Sequence, residues 1–209
     1  MAKILFFGDS ITAFRENIVT TSELFAEKYP QHEIVNKGVG GNDTQMARER
    51  FQRDVLDEKP DMFIFCFGCN DSAIDVWKEA TEPRVSLETY LENLRYFVHE
   101  VRAIGSRVIF WTSPPMFMTE ILRSYYGKEP YLSKGFNFSL DRYLEAACKL
   151  MAEENVELVP VNRIFKDLLG GNEEKLLELL PDGMHPGNDG HKIIFKHLCE
   201  AFEKIQQNG

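Results

Sequence analysis

Apolar residues in this chain come in short unbroken runs, separated by longer stretches in which they recur every three or four positions. Ile4 to Phe7, Met62 to Phe67 and Val108 to Trp111 show no polar alternation. Such runs predict strands buried on both faces, as in the middle of a parallel sheet. Glu33 to Asn36 and Val156 to Val161 predict two further short strands. Helical patterning predicts helices over Ser22–Tyr29, Gln45–Glu58, Ser86 to about Ala103 and Leu140 to about Glu154, and a last helix ending near Gln206. Shorter helical pieces are expected near Arg163–Leu169 and Glu173–Leu180. Pro30, Pro60 and Gly105 punctuate the pattern, and Thr20, Ser86 and Ser139 or Asn137 offer caps. Five strands alternating with helices imply an α/β fold with a parallel sheet covered on both faces, because right-handed crossovers put the helices there. The strand order expected is flavodoxin-like, 2-1-3-4-5.

One stretch breaks the rhythm. Met116 to Phe138 carries Met116, Phe117, Met118, Tyr125, Tyr126, Tyr131, Phe136 and Phe138 without clear periodicity. It is expected to be an irregular insertion, either a lid or substrate wall or a surface excursion with its own apolar cluster. No repeat, low-complexity run or linker interrupts the chain, so residues 1–209 are expected to form one domain.

Charge narrows the partners. With 24 basic against 33 acidic residues the net charge is -9, the opposite of the basic footprint that nucleic acid or an anionic bilayer requires. Neither a secretion signal after Met1-Ala2-Lys3 nor a membrane-length apolar run is visible, so a cytoplasmic location is expected. The four cysteines, including the pair Cys66-x-x-Cys69, are expected to be thiols and not a metal or redox site.

Candidate chemistry lies at the ends of the apolar runs. Gly8-Asp9-Ser10 ends the first strand, where open α/β sheets bind ligands, and a serine there is either a nucleophile or a turn former. The turn Gly38 to Asp43 and the segment Gly68-Cys69-Asn70-Asp71 follow the second and third strands. In a parallel sheet all three ends share one rim. A backbone N–H at Gly40-Gly41 and the Asn70 amide could then hold an oxyanion, unless these residues only shape turns. Asp182-Gly183-Met184-His185-Pro186 brings a carboxylate within one turn of an imidazole, a spacing that lets Asp182 fix the tautomer of a general base. His191 and His197 lie on the last helix and are expected to be surface or packing residues.

These segments resemble the conserved blocks of the SGNH hydrolases, the GDSL-type esterases and lipases. Gly8-Asp9-Ser10, Asn36-x-Gly38-x-x-Gly41-x-x-Thr44, Gly68-x-Asn70-Asp71 and Asp182-x-x-His185-Pro186 stand in the family's order. The resemblance implies a three-layer α/β/α fold and cofactor-free ester hydrolysis. It implies Ser10 as nucleophile, Gly41 and Asn70 with the Ser10 N–H as oxyanion donors, His185 as base and Asp182 as its orienter. The expected substrate is a small soluble ester of short-to-medium acyl length, or one resembling a lysophospholipid. A carbohydrate O-deacetylase or an acyltransferase of the same family is the alternative. A flavodoxin-like binding module without chemistry is the reading from another class.

Overall fold

A computed structural model describes residues 1–207. Strands β1 (Lys3–Gly8), β2 (Glu33–Gly38), β3 (Met62–Cys66), β4 (Arg107–Trp111) and β5 (Glu157–Val159) form one parallel sheet in the order β2-β1-β3-β4-β5. This is the expected flavodoxin-like order. Gly8 of β1 is in register with Gly38 of β2 and with Cys66 of β3. The carboxyl ends of the three strands are therefore level, and the segments leaving them emerge on one rim.

The unbroken apolar runs are explained by the two cores. Ile4, Phe6, Met62, Ile64, Ile109 and Trp111 point to one face of the sheet. Helices α1 (Thr21–Lys28) and α9 (Asn188–Gln207) cover them through Phe25, Ile194, Leu198 and Phe202. Leu5, Phe7, Phe63, Phe65, Val108 and Phe110 point to the other face. There α2 (Thr44–Phe51), α3 (Leu87–Ala103) and α6 (Phe138–Glu153) pack on them. Phe7 lies 5.3–5.8 Å, centroid to centroid, from Phe51, Phe63, Phe67 and Phe97, mostly edge to face. Aromatic contacts of that geometry add to the stabilisation from burial.

Several boundaries differ from the sequence pattern for local reasons. The helix expected over Gln45–Glu58 is α2 up to Phe51, followed by a wider π-helical turn over Gln52–Leu56. β5 stops at Val159 because Pro160 has no N–H to continue the ladder, and α7 (Val161–Leu169) begins at once. α9 starts at Asn188, three residues after His185 and within a stretch rich in Pro and Gly. The 116–138 segment is not irregular throughout: it holds α4 (Glu120–Tyr126) and α5 (Tyr131–Lys134). Its neck is closed by Asn137, whose Oδ1 accepts from Met116 N–H (2.7 Å) and whose Nδ2 donates to the Met116 carbonyl (2.8 Å). Asn137 thus spends its side chain on the neck and gives none to the N-terminus of α6. The short helix α8 (Leu176–Leu179) precedes the loop carrying Asp182 and His185. Among the described residues no helix is long and apolar enough to cross a membrane.

Candidate active site

Ser10 follows directly on β1 and Asp9, on a tight turn closed by the N–H groups of Thr12 and Ala13 donating to the Asp9 carbonyl (3.2 and 3.0 Å). Asp9 itself is buried, and its Oδ1 accepts from Ile11 N–H (2.9 Å). The serine is thus held on a stiff corner at the sheet rim.

Opposite it stands the loop before α9. Ser10 Oγ lies 2.8 Å from His185 Nε2, and His185 Nδ1 lies 2.8 Å from Asp182 Oδ2. A carboxylate only accepts, so Nδ1 carries the proton and Nε2 is free to take the serine's. Asp182 Oδ1 accepts from the backbone N–H groups of His185 (2.7 Å) and Met184 (2.9 Å). Partial burial pushes the Asp182 carboxyl up, but these N–H groups and the His185 ring outweigh it and hold its pKa below the ordinary carboxylate value. Gly183 is required between them. Its φ is +84°, and a Cβ there would stand 2.4 Å from the Phe117 carbonyl.

The other side of the crevice is built from the ends of the other two strands. Gly41 has φ +75°, a conformation that glycine adopts without strain. A methyl placed on Gly40 would meet Ser10 Cβ at 3.9 Å, so this turn lies against the serine. Among the described residues, neither Ser10 N–H nor Gly41 N–H donates to a protein acceptor. Arg50 braces the turn from behind, donating to Asn42 Oδ1 (2.7 Å) and to the carbonyls of Lys37 (2.8 Å) and Gly8 (3.1 Å). Asn70 reaches the same place from β3, with its Nδ2 3.1 Å from the Asn42 carbonyl and 3.3 Å from Asp9 Oδ2. The five residues singled out in the sequence, Ser10, Gly41, Asn70, Asp182 and His185, therefore surround one crevice. Ser10, Gly41, Asn70 and His185 line a cavity of about 320 Å³. Its remaining wall is mostly apolar, with Met116, Tyr126, Tyr131, Phe136, Leu140 and Met184. The 116–138 segment supplies four of these and is tied to the loop carrying His185 by Phe117 N–H donating to the Gly183 carbonyl (2.8 Å).

Two carboxyls near the site are unusual. Burial raises the Asp9 pKa to about 7, against the N–H of Ile11, with Asp71 adding to the rise. Burial raises Asp71 to about 6, against its bonds from Thr44. All four cysteines are free. Cys69 lines the cavity with its sulfur 3.7 Å from Met116 Sδ, and burial pushes its thiol well above the ordinary range. It is a poor nucleophile in that state.

Sequence patterns did not single out Arg15, Arg50, Asn42 or Arg84, all of which touch the site's framework. Arg15 and Arg84 lie in connecting segments, Asn42 in a glycine-rich turn and Arg50 among the other charges of α2, and none of these positions carries a periodic or motif signal. Of the two roles expected for His191, surface or packing, the structure has packing: the ring is buried, and burial pulls its pKa down to about 4.

The family description "GDSL-like lipase/acylhydrolase" matches residues 6–193. The acetylxylan esterase of Geobacillus stearothermophilus is 28% identical, over 92% of this chain and 90% of that protein. The isoamyl acetate-hydrolyzing esterase of Saccharomyces cerevisiae is 26% identical, over 96% of this chain and 86% of that protein. A shorter stretch, 40% of this chain, is 45% identical to 33% of the lipoprotein YqeF of Bacillus subtilis. Among solved structures, the lipase/acylhydrolase of Enterococcus faecalis shares the fold with a TM-score of 0.73, at 22% identity over 95% of this chain and 93% of that one.

Proposed function

The chain belongs to the GDSL-like lipase/acylhydrolase family and is a carboxylic ester hydrolase; on that premise we propose that Ser10, His185 and Asp182 are its catalytic triad, with Gly41 and Asn70 as oxyanion donors. The observation that carries this reading is the unbroken relay from Ser10 Oγ through the His185 ring to Asp182, each link 2.8 Å. Ser10 Oγ attacks the ester carbonyl carbon while its proton passes to His185 Nε2. The tetrahedral oxyanion is met by the N–H groups of Ser10 and Gly41 and by Asn70 Nδ2. The intermediate collapses as the alcohol oxygen leaves and takes the proton from Nε2. Water then attacks the acyl-enzyme carbonyl, giving its proton to Nε2, and the acid departs as Ser10 Oγ recovers a proton.

The substrate we propose is a small dissolved ester with an apolar arm of a few carbons. The apolar wall from the 116–138 segment supports it, since each buried CH₂ contributes about 0.8 kcal/mol. In this reading 116–138 is a fixed wall of a single domain, stapled at its neck by Asn137. A second reading, deacetylation of a carbohydrate, is favoured by the name of the Geobacillus relative and by Tyr126 and Tyr131 in the cavity wall. The test is a matrix of acetyl, butyryl and octanoyl esters of one alcohol, plus an acetylated oligosaccharide, run on wild type and Ser10→Ala. The acyl-arm reading expects butyryl above acetyl. A fall from acetyl onward with acetate released from the oligosaccharide establishes the second reading. Equal activity in Ser10→Ala removes the triad.

A further inference from the structure

The proposed oxyanion role of Asn70 depends on which end of its side-chain amide faces the crevice. A carboxamide is nearly symmetric in shape, and a half-turn about its last bond would swap the donor for an acceptor. An oxygen aimed at the developing oxyanion would repel it. Something must therefore hold the amide in one orientation.

The connection from β3 to α3 supplies the means. Asn70 stands near its start and Arg84 near its end. The segment folds back on itself through Arg84 N–H to the Ala73 carbonyl (3.0 Å) and Val85 N–H to the Asp71 carbonyl (3.2 Å). Arg84 is gripped by Asp75, with Nε 3.1 Å from Oδ2 and Nη2 2.8 Å from Oδ1. The free arm of the fork, Nη1, donates to Asn70 Oδ1 at 3.0 Å. A guanidinium has no acceptor, so only the amide oxygen can face it. On the far side, the Asn42 carbonyl has no donor, so only Nδ2 can face that. A flipped Asn70 would put nitrogen against nitrogen at Arg84 and oxygen against oxygen at Asn42.

We infer that Arg84, anchored by Asp75, is a positioning residue that locks the Asn70 amide with Oδ1 turned away from the oxyanion and Nδ2 on its side, where the oxyanion takes the place of Asp9 Oδ2 (3.3 Å) as acceptor for one of the two N–H groups. The inference rests on the oxyanion reading of Asn70. The geometry adds a second effect. A cation hydrogen-bonded to Oδ1 draws electron density from the amide and strengthens Nδ2 as a donor, as hydrogen bonds in series do. Arg84 also lines the cavity, so it works at the rim of the site and not through a distant shift of the fold.

The test is a double-mutant cycle on kcat. In the wild-type background Arg84→Ala is expected to lower kcat by roughly 10- to 100-fold with little change in KM, a fraction of what losing an oxyanion donor costs. In the Asn70→Ala background the same change is expected to cost less than about twofold, because there is no amide left to orient. An equal fold-loss in both backgrounds overturns the lock and leaves the oxyanion role of Asn70 standing. A wild-type kcat in Asn70→Ala alone removes Asn70 from the oxyanion site, and the lock with it. Arg84→Lys covers the possibility that Arg84→Ala unfolds by leaving Asp75 unpaired. Lysine keeps a counter-charge but lacks the fork that serves Asp75 and Asn70 together. It is expected to hold the wild-type melting temperature while keeping most of the kcat loss. Full kcat in Arg84→Lys overturns the proposal.

Discussion

Arg15 Nη1 donates to the Pro186 carbonyl over 3.1 Å, joining the segment that carries Ser10 to the loop that carries His185. Its Nη2 also lies 3.8 Å from Asp182 Oδ2. Further along the same seam, Val19 N–H donates to Asn188 Oδ1 (2.8 Å), and Thr21 Oγ1 lies 3.0 Å from the Nδ1 of His191. The two segments are 175 residues apart at Ser10 and His185, yet they are stitched together at intervals, and Arg15 is the stitch nearest the triad.

Arg15→Ala should therefore loosen the approach of the two loops. The expected outcome is a kcat lower by roughly 10-fold, in line with the cost of small misplacements of reacting groups. Steady-state kinetics beside a thermal melt checks this. A changed melt with an unchanged kcat would show that Arg15 only stabilises the fold.

The triad prediction is larger. Ser10→Ala and His185→Ala should each lower kcat by roughly 10⁴- to 10⁶-fold, and Asp182→Ala somewhat less. Combining Ser10→Ala with His185→Ala should cost no more than either alone, since the residues act as a unit. A phosphonate ester probe should label Ser10 in wild type and fail in His185→Ala, which mass spectrometry of the intact protein reads directly.

Stability should fall as pH rises from about 4 to about 7. The folded-state pKa of Asp9 is raised, to about 7 from an ordinary 3.8. Its contribution to stability is complete below the ordinary value and is lost as pH rises through about 7. Asp71 acts in the same direction through about 6. For Asp9 the loss is at most about 4 kcal/mol. Urea unfolding at about pH 4 and about pH 8 measures most of it. Asp9→Asn keeps an acceptor for Ile11 N–H and should flatten the slope. An unchanged slope in that variant would assign the titration to another group.

Cys69 stands beside Asn70 and lines the cavity, but its buried thiol is not activated. Cys69→Ala should retain kcat within about twofold, because no step of the acyl-enzyme chemistry uses it. Loss of activity with an intact melt would point to a thiol mechanism in place of the serine one.

The cavity wall should set acyl preference. Each CH₂ that enters the apolar part is expected to raise kcat/KM by roughly fourfold. Phe136→Ala should shrink that increment while leaving acetyl esters nearly unaffected. If the acetyl and butyryl rates fall together, Phe136 supports the wall's shape and does not touch the acyl arm.

What the sequence determined by itself was what short-range physics controls. The two-faced apolar runs, such as Met62 to Phe67, require helices on both sides of a parallel sheet, and alternation of successive side chains explains why Leu5 and Phe6 enter different cores. The pairing of Asp182 with His185 was legible for the same reason, since three residues of chain already bring them within reach. The motif order marked Ser10, Gly41 and Asn70, and level strand ends in a parallel sheet were enough to bring them to one rim.

Only the tertiary structure decided which side chains meet across large separations. Nothing periodic connects Arg84 to Asn70, Asn137 to Met116, or Arg15 to Pro186. Each contact depends on how a connecting segment folds over its neighbours, and a single polar residue in such a segment reads equally well as solvated. The burial of His191 was hidden likewise: its helix position was readable, but whether that position met water or Thr21 was set by how α9 docks against the start of α1. Local preference acts over a few residues of chain, whereas docking is settled by the summed packing of whole elements, which no single window of sequence contains.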